Sequence, residues 1–215
     1  MCSLLIIQDD TDEGTGFAPN ASSPADITEF FLDNFPSLSP GDTKAIQEYY
    51  PLTSPLAQHE AYFPSAAGAY GDATFTSPGI NISSSIASHL SPDRVWNYRY
   101  NVQDQRLVDL GLGVPHTFET PAIFGVQNTG EDADSSYRTY NKDIVPIVMN
   151  YWISFVRSLD PNTHKHKEAP TWESWGSAGG KRLVLETNRS RMEDLPAEEV
   201  ERAEFWRDLG DVMRH

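Results

Sequence analysis

The chain has 215 residues, 31 acidic against 16 basic side chains and a formal net charge of −15, with 39% hydrophobic residues and a single cysteine, Cys2. A surface this acidic repels phosphate backbones, which disfavours nucleic acid as a partner. The longest apolar runs, Leu4–Ile7 and Ile144–Met149, are too short to cross a bilayer, and one cysteine rules out an internal disulfide or a cysteine-based metal site.

In chain order, the opening MCSLLIIQDD lacks the basic n-region and long apolar run of a signal peptide. Its Leu4–Ile7 segment reads as a buried strand that runs at once into the acidic turn DDTDEG (9–14). Ser23-Pro24-Ala25-Asp26 opens a helix, with Ser23 to cap, Pro24 in the first turn and Asp26 at the positive end; Ile27, Phe30, Phe31 and Phe35 form its apolar face. Ala45, Ile46, Tyr49 and Tyr50 continue helically before Pro51, and 51–68 reads as a connection. Helical material is expected around GDATF (71–75) and from Pro78 to Leu90.

RVWNYRYNV (94–102) is the clearest strand, aromatic and β-branched between turn formers, and 103–143 reads as loop. Ile144, Ile147, Val148, Tyr151 and Phe155 make one stripe of a strong helix that stops at Asp160-Pro161. TWESWG is a loop, KRLVLE (181–186) a short strand, and 197–213 a charged amphipathic helix. Three strands, about 4–7, 95–101 and 182–186, in a mostly helical remainder give an α/β class, and they are too few for a self-sufficient sheet. The expectation is therefore the C-terminal portion of something larger.

The chemistry centres on Glu13 and His116. Both follow strand-like or loop segments on glycine-bearing turns, where open α/β sheets place functional groups. In a hydrolytic triad the acid accepts the Nδ1–H of the histidine, fixes its tautomer and stabilises the imidazolium. DEGTGF (12–17) resembles the acid-bearing turn of the type B carboxylesterase/lipase family, which includes fungal lipases and cholinesterases, and GVPHTFETPAIFG (113–125) resembles its histidine turn. GDATF (71–75), VWNYRYNV (95–102), YWISFVRSLDPN (151–162), WESWG (172–176) and the closing FW (205–206) match in the same order, so the resemblance covers nearly the whole chain.

That resemblance implies an α/β-hydrolase fold with a Ser-Glu-His triad in that order, Glu13 as the orienting acid and His116 as the general base. It implies ester or acyl-lipid substrates, no metal or organic cofactor, and an extracellular full-length parent. The sequons at Asn20, Asn81 and Asn188 agree with an extracellular glycoprotein. A calcium loop at DDTDEG fails, because Gly14 falls where a ligand is needed and no glutamate stands nine positions after Asp12. Glu119 reads as a helix-end acid, and Asp72 matches a structural, hydrogen-bonded acid of the family.

The nucleophile elbow G-x-S-x-G is missing: Ser177 has Trp175 where the first glycine belongs, and Ser83, Ser84 and Ser85 lack elbow glycines. The glycine-rich oxyanion segment is missing too. The isolated chain, 1–215, is thus expected to carry acid and histidine without a nucleophile and to be inactive alone. The alternative is a non-catalytic cholinesterase-like interaction domain or a truncated remnant. His164 and His166 read as a solvated basic loop, His59, His89 and His215 belong to no constellation, and Trp172 and Trp175 read as packing aromatics.

Overall fold

The computed structural model describes residues 4–176 and 180–213, and Cys2, Ser177 and His215 lie outside them. The chain forms two compact units. One comprises the residues up to Thr11, Ser83–Asp104 and Thr117–Leu195; the other comprises Asp12–Ile82, Gln105–His116 and the residues from Pro196 onward.

The first unit is built on a four-stranded mixed sheet of order β1-β2-β3-β4, with β1 Leu5–Asp10, β2 Val95–Tyr100, β3 Lys181–Leu185 and β4 Arg191–Asp194. β1 runs parallel to β2 (Leu5 opposite Val95, Asp10 opposite Tyr100) and β2 parallel to β3; β3 and β4 are antiparallel. β2 is buried on both faces, as a near-continuous aromatic and β-branched run requires of a parallel strand. Its hydroxyls find partners: Tyr98 donates to Gln8 Oε1 (2.8 Å), and Tyr100 meets Tyr137, whose hydroxyl donates in turn to the Phe118 carbonyl (2.6 Å). Trp172 packs edge-on to Tyr98 and donates to the Asn97 carbonyl at 3.0 Å. With Trp172 and Trp175 both 2% exposed, these tryptophans are core and not a binding platform.

Two features of this sheet differ from the sequence reading. β1 extends through Asp9 and Asp10; Arg99 on the adjacent strand pairs with Asp9 at 3.0 Å and lets the strand carry that buried acid. β4 was not expected. Its RMED sequence has no apolar alternation, since it is an edge strand held by hairpin pairing and by the Arg182–Glu193 contact (2.6 Å). Among the helices of this unit, α7 (Ile144–Ser158) buries Ile144, Val148, Tyr151 and Ser154 and ends on Leu159 in the left-handed conformation, φ 59°.

The second unit is helical. α1 (Pro24–Asn34) and α2 (Pro40–Tyr49) each begin with a capping box, Ser23 with Asp26 and Ser39 with Asp42, and a proline in the first turn. α3 (Phe63–Gly71) starts inside the stretch read as a connection, which therefore ends at residue 62. A five-residue π turn, Asp72–Thr76, follows where an ordinary helix was expected, and passes directly into α4 (Ser77–His89), which runs on into the first unit. The segment read as loop over 103–143 contains two short α-helices, α5 (Gln105–Asp109) in the second unit and α6 (Thr120–Phe124) in the first, and a 3₁₀ turn, Ser136–Arg138. α8 (Ala197–Leu209) closes the second unit: its Trp206 stacks on Phe31 (centroids 5.7 Å apart, 18° between planes) in a core with Ile27, Leu38, Ile46 and Ala66.

Candidate active site

The acid comes first in the chain. Directly after β1 the backbone tightens into a 3₁₀ turn, Glu13–Gly16, in which Glu13, Gly14 and Thr15 are buried. Gly14 is required by closeness: a Cβ there would lie 2.0 Å from the Ala67 carbonyl oxygen of α3. The histidine sits on the loop that follows α5. Gly113 turns that loop at φ +63°, and Thr117, immediately after His116, stands at φ +69°, a region that a β-branched residue rarely enters and that clusters at functional sites.

The two turns meet. His116 Nδ1 lies 2.7 Å from Glu13 Oε2; the carboxylate accepts, so Nδ1 carries the proton and Nε2 is left to take one. Glu13 is 3% exposed and His116 39%, so the acid is shielded while the imidazole remains accessible. Three further hydrogen bonds join the same turns independently of this pair. Asp12 N–H donates to the Val114 carbonyl and the Val114 N–H to Asp12 Oδ2, both at 2.9 Å, and Thr15 Oγ1 donates to the Leu112 carbonyl at 2.8 Å. Gly113 permits this approach, since a Cβ there would fall 2.1 Å from Asp12 Oδ2.

Two aromatic rings flank the imidazole: Phe75 at 4.7 Å and Phe17 at 5.4 Å between centroids, themselves 5.7 Å apart. Sequence reasoning named neither these rings nor Asp12 as parts of the site. The only signal was membership of DEGTGF and GDATF; the contacts with His116 are tertiary.

The remaining residues singled out in the sequence stand elsewhere. Glu119, 6% exposed, occupies the N-cap position of α6 and accepts from Gln8 Nε2 at 3.1 Å. Asp72 accepts from the Tyr50 hydroxyl (2.7 Å) and Arg202 Nε (2.6 Å), a hydrogen-bonded structural acid. Ser83 is fully buried within α4, where its hydroxyl accepts from Asn97 Nδ2 at 3.2 Å, and Ser84 and Ser85 lie in the same helix. The His164 N–H donates to Ser154 Oγ, His166 Nδ1 accepts from the Glu168 N–H, His89 is held to the Ser85 carbonyl, and His59 stacks on Phe63. Among the described residues no three His, Cys, Asp or Glu side chains are grouped to hold a metal ion, and no helix is long and apolar enough to cross a membrane.

An acid on the turn after a strand, bonded to a histidine on a later loop, is the arrangement of the α/β-hydrolases, and the sequence profile of the carboxylesterase family matches residues 7–206. The chain belongs to that family. Its fold matches the crystal structure of Aspergillus niger EstA with a TM-score of 0.95 and 48% identity, over 98% of this chain and 40% of that one. The Secreted lipase 4 of Gibberella zeae is 22% identical over 172 residues, which is 76% of this chain and 28% of the lipase. The chain thus spans less than half the length of either relative.

Proposed function

We propose that this chain supplies the acid and the histidine of a serine carboxylic ester hydrolase acting on ester or acyl-lipid substrates, with Glu13 as the orienting acid and His116 as the general base. The observation that carries this reading is the 2.7 Å contact between buried Glu13 and the Nδ1 of accessible His116. No serine of the sequence stands in a G-x-S-x-G elbow, so the nucleophile and oxyanion donors come from residues outside it. Given a serine, His116 Nε2 takes its proton as the oxygen attacks the ester carbon. It returns that proton to the departing alcohol, then takes one from the water that attacks the acyl-enzyme and passes it to the serine oxygen as the acid product leaves, ending as it began. Glu13 keeps Nδ1 protonated throughout and offsets the imidazolium charge. The reading extends to an extracellular, glycosylated protein, supported by the secreted relative and the exposed sequons Asn20 and Asn188.

The test is hydrolysis of p-nitrophenyl butyrate. The chain alone should be no faster than its His116→Ala variant, since loss of the nucleophile costs about six orders of magnitude in a serine hydrolase. Fused to the part of the Aspergillus EstA chain outside the matched region, it should turn over, and His116→Ala should lower kcat by at least about four orders of magnitude. Turnover by the fusion that is indifferent to His116 would overturn the assignment. So would a clear rate difference between the unfused chain and its variant.

A further inference from the structure

One polar cluster takes no part in the proton chemistry. Asp72, the first residue of the π turn, accepts from Arg202 Nε of α8 and from the Tyr50 hydroxyl, which itself accepts from Trp206 Nε1 at 2.8 Å. Burial, together with the Asp72 carboxylate, pushes the Tyr50 hydroxyl far above the usual phenol range, so it remains a donor. Two side chains, Tyr50 at the C-cap of α2 and Arg202 of α8, therefore converge on the first residue of the turn, with Trp206 of α8 holding Tyr50.

That turn is unusual in itself. A π turn inserts a residue relative to an α-helix, where each residue advances about 100° around the axis, so it re-aims the side chains that follow. Here the re-aimed side chain is Phe75, three residues after Asp72, and its ring lies 4.7 Å from the His116 imidazole. Phe17 packs against Phe75 (5.7 Å) and Tyr70 (5.8 Å) as well as His116. The Glu13 bond is a single contact, and rotation about the side-chain bonds of the part-exposed His116 would break it and release the tautomer. The two phenyl rings pack against the imidazole and oppose that rotation.

We propose that Phe75 and Phe17 are positioning residues for His116, and that the Asp72–Arg202–Tyr50 cluster is the clamp that keeps Phe75 in place by holding the π turn. The inference rests on the reading of His116 as the general base for its purpose, but not for its test, which involves no turnover. Nitrogen-15 NMR of the His116 ring in the full chain reports which nitrogen carries the proton. The wild type should show one tautomer, protonated at Nδ1. In Phe75→Leu, and in Phe17→Leu, whose site is 45% exposed and little needed for folding, the Nδ1–H to Nε2–H ratio should fall several-fold toward that of free imidazole. Arg202→Met should reproduce the Phe75→Leu spectrum, Arg202→Lys should recover part of it, and Phe75→Tyr, which keeps the ring, should behave as wild type.

Phe205→Leu is the control. It removes an α8 aromatic stacked on Tyr49 at 4.3 Å, with no ring contact to His116, and should leave the imidazole signals unmoved. The proposal fails if Phe75→Leu and Phe17→Leu keep the wild-type tautomer, or if Phe205→Leu disturbs it as much as they do. The clamp alone fails if Arg202→Met unfolds nothing and moves nothing. An inactive fusion beside these spectra would sink the hydrolase reading and leave the bracket standing; an active fusion with unmoved spectra would do the reverse.

Discussion

At Gly113 two requirements coincide: a positive φ, and an approach to Asp12 that leaves no room for a Cβ. Gly113→Ala should therefore cost about 2 kcal/mol or more in urea unfolding, combining the left-handed penalty with displacement of the Asp12 carboxylate from the Val114 N–H. A loss under about 0.5 kcal/mol would mean that the turn relaxes freely. Glu13 and His116 were legible in the sequence because each sits in a recognisable motif, and it was the resemblance, not their spacing, that joined them. Asp12 was weighed only as a calcium ligand, because its partner is a backbone N–H 102 residues away and no residue type marks such a bond. Phe17 and Phe75 lay inside matched motifs, yet which of their neighbours would be His116 depends on the π turn.

The elements divide in the same way. The starts of α1 and α2 could be read directly, since Ser-Pro followed by an acid at the third helical position is a local signal with a local cause. Asp26 shows its strength: hydrogen bonds from the Ser22 backbone, then from the Ser23 and Ser22 side chains, pull its carboxyl down to about 2. A depressed folded pKa contributes stability that is present above the unfolded value of about 4 and is lost as pH falls toward about 2. The helical circular dichroism of the chain should fall through that window less steeply in Asp26→Asn, which has already given up the contribution.

β4 and the π turn were not legible, for different reasons. A polar edge strand owes its existence to the strand beside it, and a π turn changes backbone register without a signature residue. The C-terminal end of α7 carries a testable misfit, because Leu159 holds a left-handed conformation while 53% exposed. Leu159→Gly should raise unfolding free energy by about 1 kcal/mol, with a matching rise in Tm; an unchanged Tm would show that Leu159 buries more in solution than its exposure implies.

For the whole molecule, the surface decides which asparagines a glycosylating host could reach. The three sequons are not equivalent once folded. Asn81 Nδ2 donates to the Ala203 carbonyl at 2.8 Å, so the nitrogen that would carry a sugar is engaged against α8. Asn188 is exposed on the turn between β3 and β4, and Asn20 is exposed with only its Oδ1 engaged, by the Glu60 N–H. Secreted from a yeast host behind a cleavable leader, the folded chain should carry a glycan at Asn188 and none at Asn81, read by peptide mapping after glycosidase treatment. Occupied Asn81 in folded protein would contradict the hydrogen bond. The class and family were legible at this scale because seven motifs fell in one order, whereas the division into two compact units was not, since segments far apart in sequence compose each one.

The bonds of Asp12 and Thr15 to the histidine loop have a consequence for descent. They hold the acid turn to the histidine loop without using Glu13 or His116, so a lineage could replace either and keep the shape of this corner intact. On the proposed reading of Glu13 and His116, selection for catalysis and selection for architecture fall on adjacent but separate residues. A descendant freed from the first would still inherit a well-formed surface, ready to be kept for another use.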